Sequence, residues 1–231
     1  MPFALIGFFL GLTKESETFT WTLLVKVVLC MIFARTAAMA FNRYADRHID
    51  EQNERTRQRE IPGGILSASS VLLLVIISAG LFIGVTYTIN SICFYLSPVA
   101  LLVVLGYSYT KRFTWLCHYV LGLTIGAAAA GGWIAVTGSF APTAYALWAG
   151  VGLWIAGFDI LYATQDYAFD RAHGVKSIPA RFGIPQALRV ARASHLLAWL
   201  AFLWAGVSYG AGPLYYLGLL LVGGLLLLEH R

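Results

Sequence analysis

The chain has 231 residues, 59% of them hydrophobic and only 12% charged, with a formal net charge of +5. Globular proteins carry roughly 25% charged residues, so half that share, with a mean hydropathy of +0.73, excludes an ordinary soluble domain and points to a membrane protein. The basic residues sit between apolar segments rather than in one patch, which argues against a nucleic-acid partner and for the lipid bilayer. Cys30, Cys93 and Cys117 all lie in apolar stretches without a Cys-x-x-Cys pair, so neither a disulfide framework nor a zinc site is indicated. They read as buried structural thiols.

Residues 1–12 are apolar, but about 12 residues cannot cross a hydrocarbon core of ~30 Å. The segment has no basic leader and no small-residue cleavage site, so it does not read as a signal peptide. It reads as the second half of a helix. Together with the abrupt stop at Glu229-His230-Arg231, this leads to the expectation of one domain over 1–231, cut short at both ends. The further spans are predicted at 19–46, 66–87, 91–108, 114–137, 143–168, 187–208 and 212–228. Turn signals separate several of them: Pro62-Gly63-Gly64, Gly138, Pro142, Pro185, and Gly210 to Pro213. Spans this apolar cannot be open strands in lipid, where every backbone polar group must be satisfied internally. The predicted fold is an all-α transmembrane bundle of about eight spans, and the run Gly126 to Gly132 predicts a close helix–helix approach.

Loop charge sets the orientation. Twelve of the 16 Lys and Arg fall in residues 43–64, 107–113 and 169–192. Basic loops stay cytoplasmic, so these three share the cytoplasmic side.

Two acidic patterns border those loops. Asn42, Asp46 and Asp50 recur every four residues, which places them on one helical face. Asp159, Tyr162, Asp166 and Asp170 follow at steps of three, four and four, again predicting one face. Taken alone, 42–60 reads as a solvated charged run. Two runs with matched spacing, each closing an apolar segment on the same side of the membrane, read instead as a site. Four nearby carboxylates repel one another and are costly at the end of a span. A hard divalent cation relieves both problems, with Asn42 adding a neutral oxygen. Arg43, Lys111, Arg112 and Lys176 flank the acids and suit a phosphorylated ligand. Arg55, Arg57 and Arg59 are explained in part by the loop charge bias alone. Arg35 lies inside span two, about two turns before Asn42, and needs a polar partner. His48 and His173 read as solvated, His195 as packed or at the lipid interface, and His118 as open between a polar and a packing role. The two motifs, four spans apart, also suggest two pseudo-equivalent four-helix halves.

These residues carry a resemblance. Asn42-Arg43-x-x-Asp46-x-x-x-Asp50-x-x-Asn53-x-Arg55-Thr56-x-x-Arg59-x-x-Pro62, Tyr107-Ser108-Tyr109-x-Lys111-Arg112, His118-x-x-Leu121-Gly122, and Asp159-x-x-Tyr162-x-x-x-Asp166-x-x-x-Asp170 with Lys176-Ser177 resemble the UbiA superfamily of intramembrane aromatic prenyltransferases, in its 4-hydroxybenzoate polyprenyltransferase-like branch. Many relatives have Asn-Asp where this chain has Asn42-Arg43. The resemblance implies nine helices around a central cavity and Mg2+ as cofactor. It implies a polyprenyl diphosphate donor and an aromatic acceptor, 4-hydroxybenzoate or a related hydroxyaryl acid, in ubiquinone or menaquinone biosynthesis. Asp46, Asp50, Asp166 and Asp170 match the carboxylates that hold metal and diphosphate, with Asn42 beside them. Arg43, Lys111, Arg112 and Lys176 match positions at the diphosphate. Arg35, Asp159 and Tyr162 are assigned to the acceptor or to support. The expected location is a bacterial inner membrane, with the active site on the cytoplasmic side. A cation- or proton-coupled transporter would also carry intramembrane acids. Transporter sites, however, lie near the midplane at broken helices, whereas these acids run into basic loops.

Overall fold

Apolar runs bounded by caps and glycines fold here as helices, with no strand among the described residues. The structure, a computed structural model, describes residues 2–15 and 19–230. In chain order the helices are α1 (Pro2–Glu15), α2 (Trp21–Gln52), α3 (Ala68–Tyr87), α4 (Ser91–Thr110), α5 (Cys117–Thr137) and α6 (Pro142–Ala163). A 3-10 turn (Thr164–Asp166) leads into α7 (Tyr167–Ala172), followed by α8 (Ile178–Phe182), α9 (Ile184–Tyr209) and α10 (Pro213–Glu229). Helices α2 to α5, the stretch 142–172 and α9 are long and apolar enough to cross a membrane, whereas α1 and α10 are apolar but shorter. These eight segments coincide with the eight expected from hydropathy.

The chain divides into two compact units, Thr20–Thr110 and Met1–Phe19 with Lys111–Arg231. The expected division into two four-helix halves thus takes an uneven form, because α1 packs on α5 and belongs to the same unit.

In the unit of α2, α3 and α4, Thr20 opens the long helix by accepting a hydrogen bond from the Leu23 N–H. Ser67 does the same for α3 through Ser70. Such caps satisfy N–H groups that a helix start leaves without partners. Lys26, an intramembrane cation, finds its acceptor in the Thr88 carbonyl at 2.6 Å, at the C-terminal end of α3 where a positive charge is favoured.

In the other unit, α5 and α6 meet through glycine. A Cβ added at Gly122 would overlap the Gly152 carbonyl, and one at Gly132 would overlap that of Ala4 on α1. Inside lipid, where apolar contact alone drives little association, such backbone approach supplies the packing. Around it lie Ala129, Ala146, Leu147, Val151 and Ala205. Large aliphatics such as Leu102, Leu214 and Leu220 remain exposed, as a hydrocarbon surround permits.

Two expectations are corrected. The single helical face of residues 159–170 is broken, because α6 ends at Ala163 and the 3-10 turn winds at about three residues per turn. Asp166 and Asp170 therefore leave the register of Asp159 and Tyr162. The three cysteines are free thiols but only half-buried, since each lies on a helix face that its neighbours cover incompletely.

Candidate active site

Each acidic set belongs to a different unit. On α2 the four-residue spacing stays helical through Gln52, so Asn42, Asp46 and Asp50 share one face. Asp46 and Asp50 are 1% and 3% exposed, while His48 between them is exposed. The Asn42 amide donates to Asp46 Oδ2 at 2.9 Å and, more weakly, to Ser108 Oγ on α4 at 3.4 Å.

Beyond α2 the chain folds back on its own helix end. The Asn53 N–H and the Thr56 hydroxyl both donate to the Asp50 carbonyl. The turns that follow carry Arg59 over Asp50, where Nη1 lies 2.8 and 2.9 Å from the two carboxylate oxygens. Arg59 thus leaves the class of loop charges to which sequence reasoning had partly assigned it, while Arg55 and Arg57 remain exposed. Its signal was present only as register: of the three arginines it alone sits where the turn begun at Thr56 returns. Arg43, expected beside a phosphorylated ligand, forms an ion pair with Glu60 at 3.1 Å. Arg35 is exposed and donates to the Met39 sulfur one turn on.

In the second unit, His118 is the residue that sequence reasoning left open. It is buried, with Nδ1 2.6 Å from Asp159 Oδ2, while Nε2 accepts the Ile178 N–H at 3.2 Å. A nitrogen that accepts cannot carry the proton, so the hydrogen is on Nδ1 and is donated to Asp159. Through His118, Asp159 is linked to the first residue of α8. Tyr162 is 53% exposed.

Asp170, 8% exposed, accepts the Ser177 hydroxyl at 2.8 Å. The same Ser177 oxygen caps α8 by accepting the Ala180 N–H. Val175 N–H donates to the Asp170 carbonyl, closing the loop. Lys176 N–H donates to the Lys111 carbonyl at 2.7 Å, and the Cys117 thiol to that of Lys176. Two basic loops are thereby joined through their backbones. Asp166 repels Asp170 electrostatically, and Lys111 attracts it. Arg112 is exposed. A cavity of about 210 Å³ opens here, lined among others by Asp170, Arg171, Lys176, Ser177 and Arg181. Arg171 and Arg181 had been counted only as loop charge. The spacing Ser177-x-x-x-Arg181 across a short helix was the signal available for the second.

The candidate ligands Asn42, Asp46, Asp50, Asp166 and Asp170 all offer oxygen. Within each unit these are the hard oxygen ligands that suit a divalent cation, and the mutual repulsion of Asp166 and Asp170 is the kind of strain such a cation relieves.

Known proteins share this arrangement of sequence. A model of the UbiA prenyltransferase family matches residues 1–231. The 4-hydroxybenzoate octaprenyltransferase of Vibrio cholerae serotype O1 is 34% identical over 207 residues, covering 87% of this chain and 71% of that protein. The protein of the same name from Methylococcus capsulatus is 34% identical over 203 residues, covering 86% and 68%. Among solved structures, the apo UbiA homolog from Aeropyrum pernix K1 is similar with a TM-score of 0.90 at 30% identity, over 99% of this chain and 86% of that one. A UbiA homolog from Archaeoglobus fulgidus bound to DMAPP and Mg2+ has a TM-score of 0.73 at 20% identity, over 99% and 83%. This last likeness is one of fold.

Proposed function

The chain belongs to the UbiA prenyltransferase family, and from that premise we propose that it transfers a polyprenyl group from a polyprenyl diphosphate to 4-hydroxybenzoate, a step of ubiquinone biosynthesis. The protein is an integral-membrane prenyltransferase, and residues 1–231 act as one catalytic domain in this reading. The observation that carries it is the pair of acidic sets, each seated against a folded basic loop: Asp50 under Arg59, and Asp170 under Ser177 beside Lys111 and Lys176.

Asp46, Asp50, Asp166 and Asp170, with Asn42, hold Mg2+ in this proposal. When bound, the ion neutralises diphosphate charge as the allylic C–O bond breaks. The same pairing of ion and ligand occurs in the Archaeoglobus fulgidus homolog bound to DMAPP and Mg2+. Lys111, Arg112, Lys176 and Arg43 supply fixed positive charge for the diphosphate oxygens, a task at which preorganised cations are effective because no reorganisation is needed as charge develops. Arg43 reaches the diphosphate by exchanging Glu60 for it. Arg59 orients Asp50, His118 and Asp159 hold α8 in place, and Arg35 and Tyr162 serve the acceptor. The apolar donor tail rests against lipid-facing side chains at little cost. The site faces the cytoplasm of a bacterium across its inner membrane.

The test is transfer of labelled polyprenyl diphosphate to 4-hydroxybenzoate by membranes containing the full chain, with a dihydroxynaphthoate acceptor in parallel. Asp46→Asn and Asp170→Asn should each lower turnover at least 100-fold at unchanged membrane insertion, and removal of Mg2+ should abolish it. Near-normal turnover in both variants removes the carboxylate site from the account. Preference for the naphthoate assigns the chain to menaquinone instead.

A further inference from the structure

A second cluster of ligand atoms uses none of the residues of the two acidic sets. His195, on α9, is 1% exposed and sits near the middle of a membrane-spanning helix, where a polar ring is costly unless its nitrogens are satisfied. Its surroundings are built for it. Gly157 on α6 has no side chain, and a Cβ there would overlap the imidazole. Phe158 packs on the ring with centroids 4.6 Å apart. The ring Nε2 lies 3.3 Å from the Trp154 carbonyl. A carbonyl can only accept, so the hydrogen is on Nε2 and the Nδ1 lone pair points outward. There it meets His230 Nε2 at 2.8 Å, with the Glu229 carboxylate in the same group and all three ligand atoms within 4.8 Å of one another.

We propose that His195 Nδ1, His230 Nε2 and a Glu229 oxygen bind one divalent metal ion of the imidazole-preferring class, with Zn2+ as its representative. Three features support it. A ligating histidine typically donates its second N–H to a carbonyl or carboxylate, which fixes the ring, and Trp154 does this for His195. Two nitrogens at about 2.0–2.1 Å from a tetrahedral zinc stand roughly 3.3 Å apart, so the pair need open by only about half an ångström. Two imidazoles and one carboxylate fill three of the four positions of a tetrahedral site and leave one open; His230 is half-buried and Glu229 exposed. On binding, the metal takes the place of the hydrogen between the rings, and that proton moves to His230 Nδ1. Arg192 opposes the ion electrostatically at His230, and the Glu229 carboxylate offsets it. Magnesium takes oxygen ligands and does not compete here. The bound ion would clasp the end of α10 to the middle of α9, independently of the prenyl-transfer reading.

The experiment uses the full chain in detergent, without an affinity tag, stripped of metal and titrated calorimetrically with Zn2+ in millimolar Mg2+. Expected is saturable binding of one Zn2+, at least 10-fold weaker in both His230→Gln and Glu229→Gln. Co2+ in place of Zn2+ should give visible ligand-field bands that both variants lose. His195→Gln removes a fully packed ring from between helices, so the two more exposed positions carry the test. Failure of the wild-type chain to bind Zn2+ stoichiometrically, or unchanged affinity in both variants, overturns the proposal and leaves the histidine pair as a hydrogen-bonded latch.

Discussion

His118 Nδ1 lies 2.6 Å from Asp159 Oδ2, so a histidine opening α5 is held by a carboxylate near the end of α6. The other ring nitrogen receives the Ile178 N–H, and three segments meet at one imidazole. Asp159→Ala leaves a buried donor without its acceptor, which costs about 1–3 kcal/mol. Thermal unfolding in detergent should show the loss, with faster amide exchange at Ile178. An unchanged midpoint would mean that the pair contributes nothing to the fold.

Arg59 and Arg57 are two residues apart and differ in consequence. Arg59 is the partner of a carboxylate only 5% exposed at its side chain. Its removal strands that charge, at a cost on the order of 3 kcal/mol, the low end for buried pairs because Arg59 itself is a quarter exposed. Arg57 faces Glu54 at 3.9 Å with both side chains largely in solvent, and its loss should stay within about 0.5 kcal/mol. Comparing Arg59→Ala with Arg57→Ala by denaturant unfolding checks this; equal effects would refute the distinction.

Glycines on α5 offer a matched pair. Gly122→Val must push against the Gly152 backbone, whereas Gly131 has nothing within 4 Å of an added Cβ. Overpacking costs typically 1–3 kcal/mol, and backbone cannot step aside as a flexible side chain can. Gly122→Val should lower the melting temperature by several degrees and Gly131→Val should not. The reverse order would contradict the α5–α6 packing.

Much of the architecture was readable before any coordinates. Hydropathy placed all eight apolar segments because a bilayer imposes both their length and their internal hydrogen bonding. The Asn42, Asp46, Asp50 face was readable because period and element agree over the whole stretch. The break after Ala163 was not, since Thr164 and Gln165 carry no Gly or Pro to announce a 3-10 turn. Nor was the link from His118 to Asp159, 41 residues apart, for which no local signal exists. Choosing Arg59 over Arg55 or Arg57 required the path of the turn itself.

The Arg43–Glu60 pair has a pH signature. The hydrogen bond from its own backbone N–H, followed by the Arg43 guanidinium, holds the Glu60 carboxyl below its ordinary value. A depressed carboxylate contributes stability above its unfolded pKa and loses it as pH falls through the folded one. The pair should therefore persist at pH 5 and open only below the usual glutamate range of about 4.3. Titration of a ¹³C-labelled Glu60 carboxyl follows it, and a midpoint at or above that value would remove the claim.

Orientation can be read with single cysteines at Gln58, Phe113 and His173 in a chain whose three native cysteines are replaced by serine. In intact cells these positions should resist an impermeant thiol reagent, and a cysteine at Ser139 should react. Labelling of all three from outside would reverse the assignment of the basic loops to the cytoplasm.

The 3-10 turn at Thr164–Asp166 separates two kinds of positioning. On a continuous helix, one added residue would swing every later side chain by about 100°. Asp170 is indexed differently, by Ser177 and Val175 within its own loop. Helix α6 is thus tied to that loop by side chains, Asp159 through His118 to the Ile178 N–H, and not by helical register. A residue inserted between Asp159 and Thr164 would therefore spare the Ser177 contact and cost the His118 clasp instead.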